Sequence, residues 1–166
     1  MGVDHALRHE FEALFIEEAW LLDSGQFEAW LELFDAETRY WAPVRANVGR
    51  GEENFDTPHL LTHFDESKAT LELRIKRLRT GNAHAEEPPS RTRHFVSNVR
   101  ILEGPADDRV HVASNFMVFR SRPGREEYLF VGQRLDRWRR DGDSWKNLER
   151  QIVFDHDVIE NITLLY

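Results

Sequence analysis

R-T-R-H-F-V-S-N-V-R-I-L, residues 91–102, opens a run of four segments rich in Val, Phe, Ile and Leu in the second half of this 166-residue chain. This composition, interrupted by turn-forming residues, is typical of β-strands. Gly-Pro-Ala-Asp, Pro-Gly-Arg and Asp-Gly-Asp-Ser separate the segments. The pattern predicts consecutive strands at residues 91–102, 109–121, 126–140 and 144–154.

The first half of the chain has a different pattern. Apolar residues recur there at helical spacing in three segments, and one short strand precedes a long loop that contains glycine. Helices followed by consecutive strands predict a single α+β domain over residues 1–166, with the helices on one face of an antiparallel sheet. The predicted elements are helices at 4–24, 26–34 and 66–80, with Asp65 capping the last, a strand at 38–44 and a loop at 47–63.

Composition excludes several classes of function. A formal net charge of −8 argues against a nucleic acid or an anionic membrane as partner. The chain has no apolar run near the ~20 residues that span a bilayer, and its start lacks the pattern of a signal peptide. It has no cysteine, which excludes thiolate zinc sites, iron–sulfur clusters and cysteine nucleophiles in this chain. We expect a cytoplasmic protein.

The strand at 91–102 mixes arginines, a histidine and apolar residues, so its two faces must be assigned by register. Suppose that its even positions share a face with the odd positions of strand 109–121. The remaining positions, odd on the first strand and even on the second, then form an apolar face that belongs to the core beneath the helices. That face comprises Phe95, Val99, Ile101, Val110, Val112, Phe116 and Val118.

The opposite face would be too apolar for open water and too polar for a sealed core, a mixture that suits a subunit interface. It comprises His94, Val96, Asn98, Arg100, His111, Ala113, Asn115, Met117 and Phe119. With two arginines at the start of the strand added, the predicted interface residues are Arg91, Arg93, His94, Asn98, Arg100, His111, Asn115, Met117 and Phe119.

Three groups of residues resemble chemical sites, each with low specificity. His5 and His9, or His59 and His63 with Asp56 or Asp65, have spacings that could bind a metal, but neither pair has the glutamate of H-E-x-x-H. Asp155-His156-Asp157 contains acid–base residue types, although neighbours on a strand point to opposite faces. A basic cluster could meet an acidic partner, pair with Glu72, Glu86 and Glu87, or be solvated; it comprises Arg74, Lys76, Arg77, Arg79, Arg91 and Arg93.

Several blocks together resemble a known family. They are F-I-E-E-A-W-L-L-D (15–23), Y-W-A-P-V-R (40–45), L-R-T-G-N-A-H-A-E-E-P-P-S-R-T-R-H-F-V-S-N-V-R (78–100), S-N-F-M-V-F-R-S-R (114–122) and L-F-V-G-Q-R-L-D-R-W-R-R (129–140). In this order, and over nearly the whole chain, they are similar to the small (β) subunit of aromatic ring-hydroxylating dioxygenases of the Rieske non-haem iron oxygenase family.

This resemblance implies a cone-shaped α+β domain, with N-terminal helices on a strongly curved sheet as in scytalone dehydratase. It implies three β subunits assembled with three α subunits. The α partner would carry the Rieske [2Fe-2S] cluster and the mononuclear Fe(II), and this chain would bear no cofactor. Electrons would come from NADH or NADPH through a reductase and a ferredoxin, and O2 would be added to an aromatic hydrocarbon to give a cis-dihydrodiol.

Two other functions are compatible with such a fold, because fold alone does not settle function. The first is a free-standing dehydratase or isomerase that uses acid–base residues in its own pocket. The second is a scaffold without an enzyme partner. The candidate acid–base residues of the first are His94, His111, Tyr128 and Asp136.

Overall fold

A computed structural model describes residues 4–45, 61–80, 89–124, 127–159 and 165–166. These residues form three helices and six strands. In chain order they are α1 (His5–Asp23), α2 (Phe27–Leu31), β1 (Phe34–Pro43), β2 (Thr62–Ser67), α3 (Lys68–Arg79), β3 (Arg91–Ala106), β4 (Arg109–Ser121), β5 (Tyr128–Asp141) and β6 (Ser144–Phe154).

All six strands belong to one sheet, in the order β2-β1-β6-β5-β4-β3. Neighbouring strands are antiparallel except β1 and β6, which run parallel. The meander from β3 to β6 starts at the far edge and returns beside β1, and its last strand arrives in the same direction as β1. The α+β class is confirmed, and the expectation of a purely antiparallel sheet is wrong at this one pair.

Local sequence signals place most of the element ends. The Leu7 backbone N–H donates to the Asp4 carboxylate over 3.0 Å, which caps α1 as predicted. Gly25, two residues beyond α1, has a φ of +70°, a conformation that glycine adopts at little cost. Helix α3 begins later than predicted, because Ser67 and Thr70 form its capping box while Asp65 lies on β2.

The short elements depart most from the prediction. Helix α2 ends at Leu31, and Phe34 begins β1. Strand β2 was not predicted: its first two residues fall at the end of the segment predicted as a loop, and residues 47–60 of that segment lie outside the described residues. The predicted strands at 109–121 and 144–154 match β4 and β6.

Helices cover one face of the sheet, which we call the inner face. Phe11 of α1 packs against Trp138 and Trp145, with ring centroids 5.9 and 5.0 Å apart. Trp30 of α2 and Leu71 of α3 belong to a second buried cluster that continues onto β1, β4, β5 and β6. The opposite side, which we call the outer face, is not covered by these helices.

The register of β3 against β4 corrects the predicted division of the hairpin. Val96 pairs with Phe116 and Phe95 with Met117, so even positions of both strands share the inner face up to Ser97. The register then shifts by one residue before Arg100. Asn98 lies in this β-bulge with a φ of 54°. The predicted parity holds only beyond the bulge; before it, His94 and Val96 face inward and Phe95 faces outward.

Candidate functional site

The inner face encloses a group of charged side chains centred on Arg150. The Arg150 guanidinium donates to Asp136 over 2.7 Å and to both carboxylate oxygens of Glu18. Arg134 also donates to Glu18, over 3.1 Å, and the Trp30 indole N–H donates to it over the same distance. These charged side chains are no more than 1% exposed. The interior of the sheet therefore holds two arginines and two carboxylates whose charges compensate one another.

The protonation of Glu18 follows from these contacts. Burial alone would raise the pKa of its carboxyl, but the charges of Arg150 and Arg134 and hydrogen bonds from Arg150 and Trp30 lower the pKa to about 2. Burial opposes the charged form of Arg150 as well, yet Asp136 and Glu18 raise the pKa of its guanidinium. Both groups are ionised at neutral pH. They therefore form a structural ion pair in which neither group gains or loses a proton near pH 7.

Tyr166 packs inside the sheet, next to the charged group around Arg150. Its backbone oxygen accepts hydrogen bonds from the Tyr40 hydroxyl over 2.9 Å and from Arg150 over 3.0 Å. Its ring lies against those of Phe130 and Phe154, with centroids 5.4 and 5.1 Å apart. Tyr166 is 1% exposed. The interior is thus occupied by the chain itself.

His94 joins three parts of the fold at this interior. Its Nδ1 lies 2.5 Å from the Asp23 carboxylate at the end of α1, and its Nε2 lies 2.9 Å from the Leu165 backbone oxygen. Asp23 also accepts bonds from the Thr92 hydroxyl and the His94 backbone N–H. Burial raises the pKa of the Asp23 carboxyl, but the hydrogen bonds from His94 outweigh burial, so the pKa lies below its usual value. His94 therefore lies inside the fold, away from the face on which it was predicted.

The candidate acid–base residues do not converge on a common site. His111 lies on the outer face, opposite Arg137 in the register of β4 and β5. Asp136 lies on the inner face and accepts a hydrogen bond from Arg150. The Tyr128 ring packs on Phe130, with centroids 4.5 Å apart. The His94 nitrogens face Asp23 and Leu165, as described above.

Asp155-His156-Asp157 follows the end of β6 and forms no shared site. Asp155 pairs with Arg45 over 2.9 Å, while His156 Nε2 accepts a bond from the Val131 backbone N–H over 3.1 Å. These contacts tie the end of β6 to neighbouring segments.

The predicted metal ligands that the structure describes lie on α1 and β2. His9 lies 3.9 Å from Glu12 on α1, and His63 lies on β2, where burial lowers the pKa of its ring. Asp65 forms a salt bridge of 2.8 Å with Arg39. In the described part of the chain, no three side chains of metal-binding type lie together. Asp56 and His59 lie outside that part.

The basic cluster is largely paired within the chain. Arg79 contacts Glu28 at 2.6 Å and Lys76 contacts Glu72 at 2.9 Å. Arg74 lies 3.5 Å from Glu66, and Arg93 lies 3.9 Å from Asp23. Glu86 and Glu87, the other predicted partners, are outside the described residues. Intramolecular pairing thus accounts for much of this cluster.

The outer face presents apolar side chains in rows across three strands. Phe95, Met117 and Val131 form one row, and Arg93, Phe119 and Leu129 form the next. Phe95 is 52% exposed, Met117 39% and Leu129 45%. Contiguous exposed apolar surface of this kind marks interaction sites. We call this surface the outer apolar patch; it comprises Phe95, Met117, Phe119, Leu129 and Val131.

A cavity of about 310 Å³ lies beside this patch. Val131, Leu135 and Val153 provide its apolar lining, Asn115 and Gln133 its amide groups. It also borders Phe116, Gly132 and the Arg45–Asp155 pair. Its volume is at the lower limit of small-molecule pockets and is sufficient for one large side chain.

Of the nine predicted interface residues, most do lie on the outer face. Met117, Phe119 and Arg93 are in the rows described above, and the same side holds Arg91, Arg100, His111 and Asn115. His94 faces inward and Asn98 forms the bulge. Contact between these residues and another subunit remains a prediction.

Sequence reasoning named two interior residues, His94 and Asp136, as acid–base candidates and missed the others. Glu18 shares the buried side of α1 with Phe11, Phe15 and Leu22, so a carboxylate within an apolar helical stripe was a usable signal. Arg134 and Asp136 alternate with exposed positions along β5 and precede Trp138 on the same face. No local sequence pattern indicated that Tyr166 would pack inside the sheet. Leu129 and Val131 were also missed as members of the outer apolar patch.

A six-stranded curved sheet with helices on one side and a filled interior defines the cone-shaped α+β class that includes scytalone dehydratase-like proteins. Within that class, the family model for "Ring hydroxylating beta subunit" matches residues 17–161. The chain belongs to this family of ring-hydroxylating dioxygenase β subunits.

Solved structures agree with this assignment. A naphthalene 1,2-dioxygenase structure matches with a TM-score of 0.84 and 25% identity, over 97% of this chain and 86% of the other. The β subunit of benzoate 1,2-dioxygenase from Burkholderia mallei ATCC 23344 has the same fold, with a TM-score of 0.74 and 23% identity over 99% of both chains. A scytalone dehydratase candidate from Novosphingobium aromaticivorans DSM 12444 shares the fold at 15% identity and a TM-score of 0.62, over 91% of this chain and 87% of the other.

None of the helices in the described ranges has the length and apolar character needed to cross a membrane.

Proposed function

We propose that this chain is the β subunit in the terminal oxygenase of a multicomponent aromatic-ring dioxygenase. The complete enzyme adds both atoms of O2 to the ring of an aromatic hydrocarbon and releases a cis-dihydrodiol. The observation that carries this proposal is the match of residues 17–161 to ring hydroxylating beta subunits.

The role of this chain within that enzyme is structural. A Rieske cluster needs cysteine thiolates as well as histidines, and this chain has no cysteine, so the α partner holds the cluster and the mononuclear iron. That iron supplies the O2 chemistry. The placement of Asp136 against Arg150, and of His94 against Asp23 and Leu165, supports a non-catalytic β subunit.

The chain acts as one domain in a cytoplasmic complex of three α and three β subunits. Its outer apolar patch supplies contacts to neighbouring subunits, since burying that surface would remove apolar area from water. Electrons from NADH or NADPH reach the α subunit through a reductase and a ferredoxin, without passing through this chain.

Purification of the affinity-tagged chain from its native cells tests this function. A larger subunit with iron and the absorption spectrum of an iron–sulfur cluster should co-purify. Ring dihydroxylation should require both subunits together with the reductase, the ferredoxin and NADH or NADPH. Recovery of the chain without an iron-bearing partner would contradict the proposal.

The rival dehydratase or isomerase is tested with His94→Ala. If His94 is structural, the variant complex should lose assembly or thermal stability before it loses chemistry. A complex that remains assembled with full iron content but turns over ~10³-fold more slowly would indicate a direct catalytic role.

A further inference from the structure

Both ring nitrogens of His94 face oxygen atoms. Nδ1 lies 2.5 Å from an Asp23 carboxylate oxygen, and Nε2 lies 2.9 Å from the Leu165 backbone oxygen. A carbonyl oxygen only accepts hydrogen bonds, so the contact with Leu165 requires a proton on Nε2. A neutral imidazole carries one N–H. The hydrogen bond between Nδ1 and Asp23 therefore needs a second proton, which belongs either to the ring or to the carboxyl.

The surroundings of Asp23 assign this second proton to the ring. The carboxylate accepts hydrogen bonds from the Thr92 hydroxyl over 3.1 Å and from the His94 backbone N–H over 3.0 Å, and the Arg93 guanidinium lies 3.9 Å away. Such contacts stabilise the ionised form of a carboxyl group. Burial raises the pKa of the Asp23 carboxyl, but the hydrogen bonds and the charge of His94 lower it below its usual value. His94 is therefore an imidazolium that donates to both oxygens.

The His94 cation connects three parts of the fold. Its side chain is 5% exposed and lies on β3, and Asp23 is the last residue of α1. The third part is Leu165 and Tyr166, which we call the 165–166 segment; both residues are buried. The imidazolium thus joins this segment to the end of α1 through the Leu165 carbonyl.

We propose that His94 is a proton-dependent switch that controls the 165–166 segment. A ring with two protons holds Leu165, and a ring that has released one proton to solvent does not. Nε2 is the nitrogen that releases its proton, because the proton on Nδ1 faces the negative charge of Asp23 whereas the one on Nε2 faces a neutral carbonyl. Two lone pairs then face each other at Leu165, and the segment loosens. This switch goes beyond the proposed function and does not depend on it.

The sign of the pH dependence follows from the two protonation states. The pKa of the Asp23 carboxyl lies below its usual value, so acidification leaves the carboxylate charged until the pH falls below the ordinary range of aspartate. Rising pH removes the ring proton instead. The segment is therefore held on the acidic side and loosens as the pH rises. Histidine ordinarily changes its charge between about pH 5 and 8, which is the range to examine.

Other charged groups around the segment keep their charge over this range. The arginines near it are Arg74 on α3, Arg93 on β3, Arg120 on β4 and Arg150 on β6. Guanidinium groups remain protonated in proteins. Burial raises the pKa of the Tyr40 hydroxyl to about 12, and it raises the pKa of the Tyr166 hydroxyl as well.

Two further histidines near this interior serve as controls. The His63 ring lies 5.9 Å from that of Phe154, and burial lowers its pKa. The His156 ring lies 6.2 Å from that of Tyr128, and its Nε2 accepts a hydrogen bond from the Val131 backbone N–H over 3.1 Å. A pH effect that arises from either histidine must disappear when that histidine is replaced by glutamine.

A cysteine introduced at Leu165 measures the release of the segment. The chain has no cysteine of its own, so a thiol reagent reports on this position alone. Leu165 is 5% exposed and Val158 is 72% exposed. Leu165→Cys is compared with Val158→Cys at each pH, which corrects for the pH dependence of the thiol itself. The ratio of the two labelling rates gives the protection of the segment.

Protection should fall roughly tenfold between about pH 5.5 and 8.5, as loss of a hydrogen bond to a charged group predicts. In the His94→Gln background it should change by less than about twofold, because an amide does not titrate over this range. His63→Gln and His156→Gln should retain the full decrease. A constant protection in the wild-type background would overturn the proposal. So would a decrease that persists in His94→Gln, or one that disappears in His63→Gln or His156→Gln.

Asp23→Asn separates a proton switch from a purely structural histidine. Asparagine keeps the size of the side chain but removes the negative charge that stabilises the imidazolium, so the decrease should move to lower pH by about one unit. A decrease at the same pH as in wild type would contradict the proposal.

Circular dichroism at the acidic end of the range checks that each variant folds. If a variant does not fold, nuclear magnetic resonance of the wild-type chain with isotope-labelled histidine replaces it. His94 should show two protonated ring nitrogens at the pH where Leu165→Cys is protected, and one at the pH where it reacts. A His94 ring with one unprotonated nitrogen while the segment is still protected would overturn the proposal.

Discussion

The two faces of this sheet differ in which side chains they bury: the inner face buries charged groups, whereas the outer face exposes apolar ones. On the inner face, Glu18, Asp136 and Arg150 are buried and satisfy one another through hydrogen bonds. On the outer face, Phe95 and Met117 are exposed among arginines. Most of the residues that suggest catalysis therefore hold the fold together on the inner face, whereas the outer face leaves apolar side chains exposed.

Buried ion pairs explain why the interior is poorly suited to bind a substrate. Removing charges from water is costly unless every group finds a partner, and here the partners come from α1, β5 and β6. Admitting a ligand would require these contacts to break. The outer face has no such constraint, since its arginines remain solvated.

The largest effect that separates the two faces is expected from Arg150→Met. The variant leaves Glu18 and Asp136 buried without their shared cation, which should lower the free energy of unfolding by about 3–5 kcal/mol. Urea unfolding followed by tryptophan fluorescence measures this difference.

Arg137→Ala is the matched control for Arg150→Met. Arg137 belongs to the outer face, is 65% exposed and lies 3.6 Å from Glu149. Its loss should change the free energy of unfolding by less than about 1 kcal/mol, as is usual for exposed pairs. Equal losses for both variants would contradict the contrast between the faces.

Acid unfolding should reveal the second-largest effect, through Glu18. Its pKa is about 2 in the folded chain and 4.5 ordinarily, so its contribution to stability is complete above pH 4.5 and is lost as the pH falls towards 2. The loss amounts to about 3 kcal/mol. Urea titrations between pH 5 and pH 2 should give a shallower pH dependence for Glu18→Gln than for wild type.

Glu28 provides a control for this pH dependence. Its hydrogen bond with Arg79 lowers the pKa of its carboxyl to about 2, yet its side chain is 61% exposed. Solvent screening should reduce its contribution to less than about 1 kcal/mol. A Glu28→Gln variant with the same acid profile as Glu18→Gln would show that burial does not set the difference.

Most elements of the fold, though not β2, were accessible from the sequence because helical spacing and strand composition are local properties. Strands β4 and β6 match their predicted bounds, and the α1 cap at Asp4 is confirmed. The faces of β3 were not accessible in full. A bulge of one residue reverses the parity of the positions that follow it, here Arg100 and Ile101, and Asn98 gives little warning of a positive φ.

The interior was harder to predict than the outer face. Met117 and Phe119 could be placed beside one another by alternation along β4 alone. Glu18 and Arg150 are 132 positions apart, and Tyr166 reaches Tyr40 across 126. Pairings over such separations depend on tertiary packing, which no local pattern encodes.

The bulge that sets the two faces supplies the third prediction. Asn98 has a φ of 54°, which asparagine tolerates and a β-branched residue does not. Asn98→Val should lower the free energy of unfolding by about 1–2 kcal/mol, whereas Asn98→Gly should have little effect. Thermal unfolding of the two variants checks this. Equal stability for Val and Gly would indicate that the bulge does not strain this position.

The smallest effect is expected on the outer face itself, and it compares two neighbours on β3. Phe95 is 52% exposed and faces outward, whereas Val96 packs against the buried cluster under α1. Phe95→Ser should therefore change the unfolding free energy of the isolated monomer by no more than about 0.5 kcal/mol. Val96→Ser should cost more, about 1 kcal/mol, although it removes the smaller side chain. Measurements at a protein concentration where light scattering shows only monomers keep association out of the comparison. If Phe95→Ser proves the more destabilising of the two, the outer apolar patch is part of the monomer's own core, and its assignment as an interaction surface is wrong.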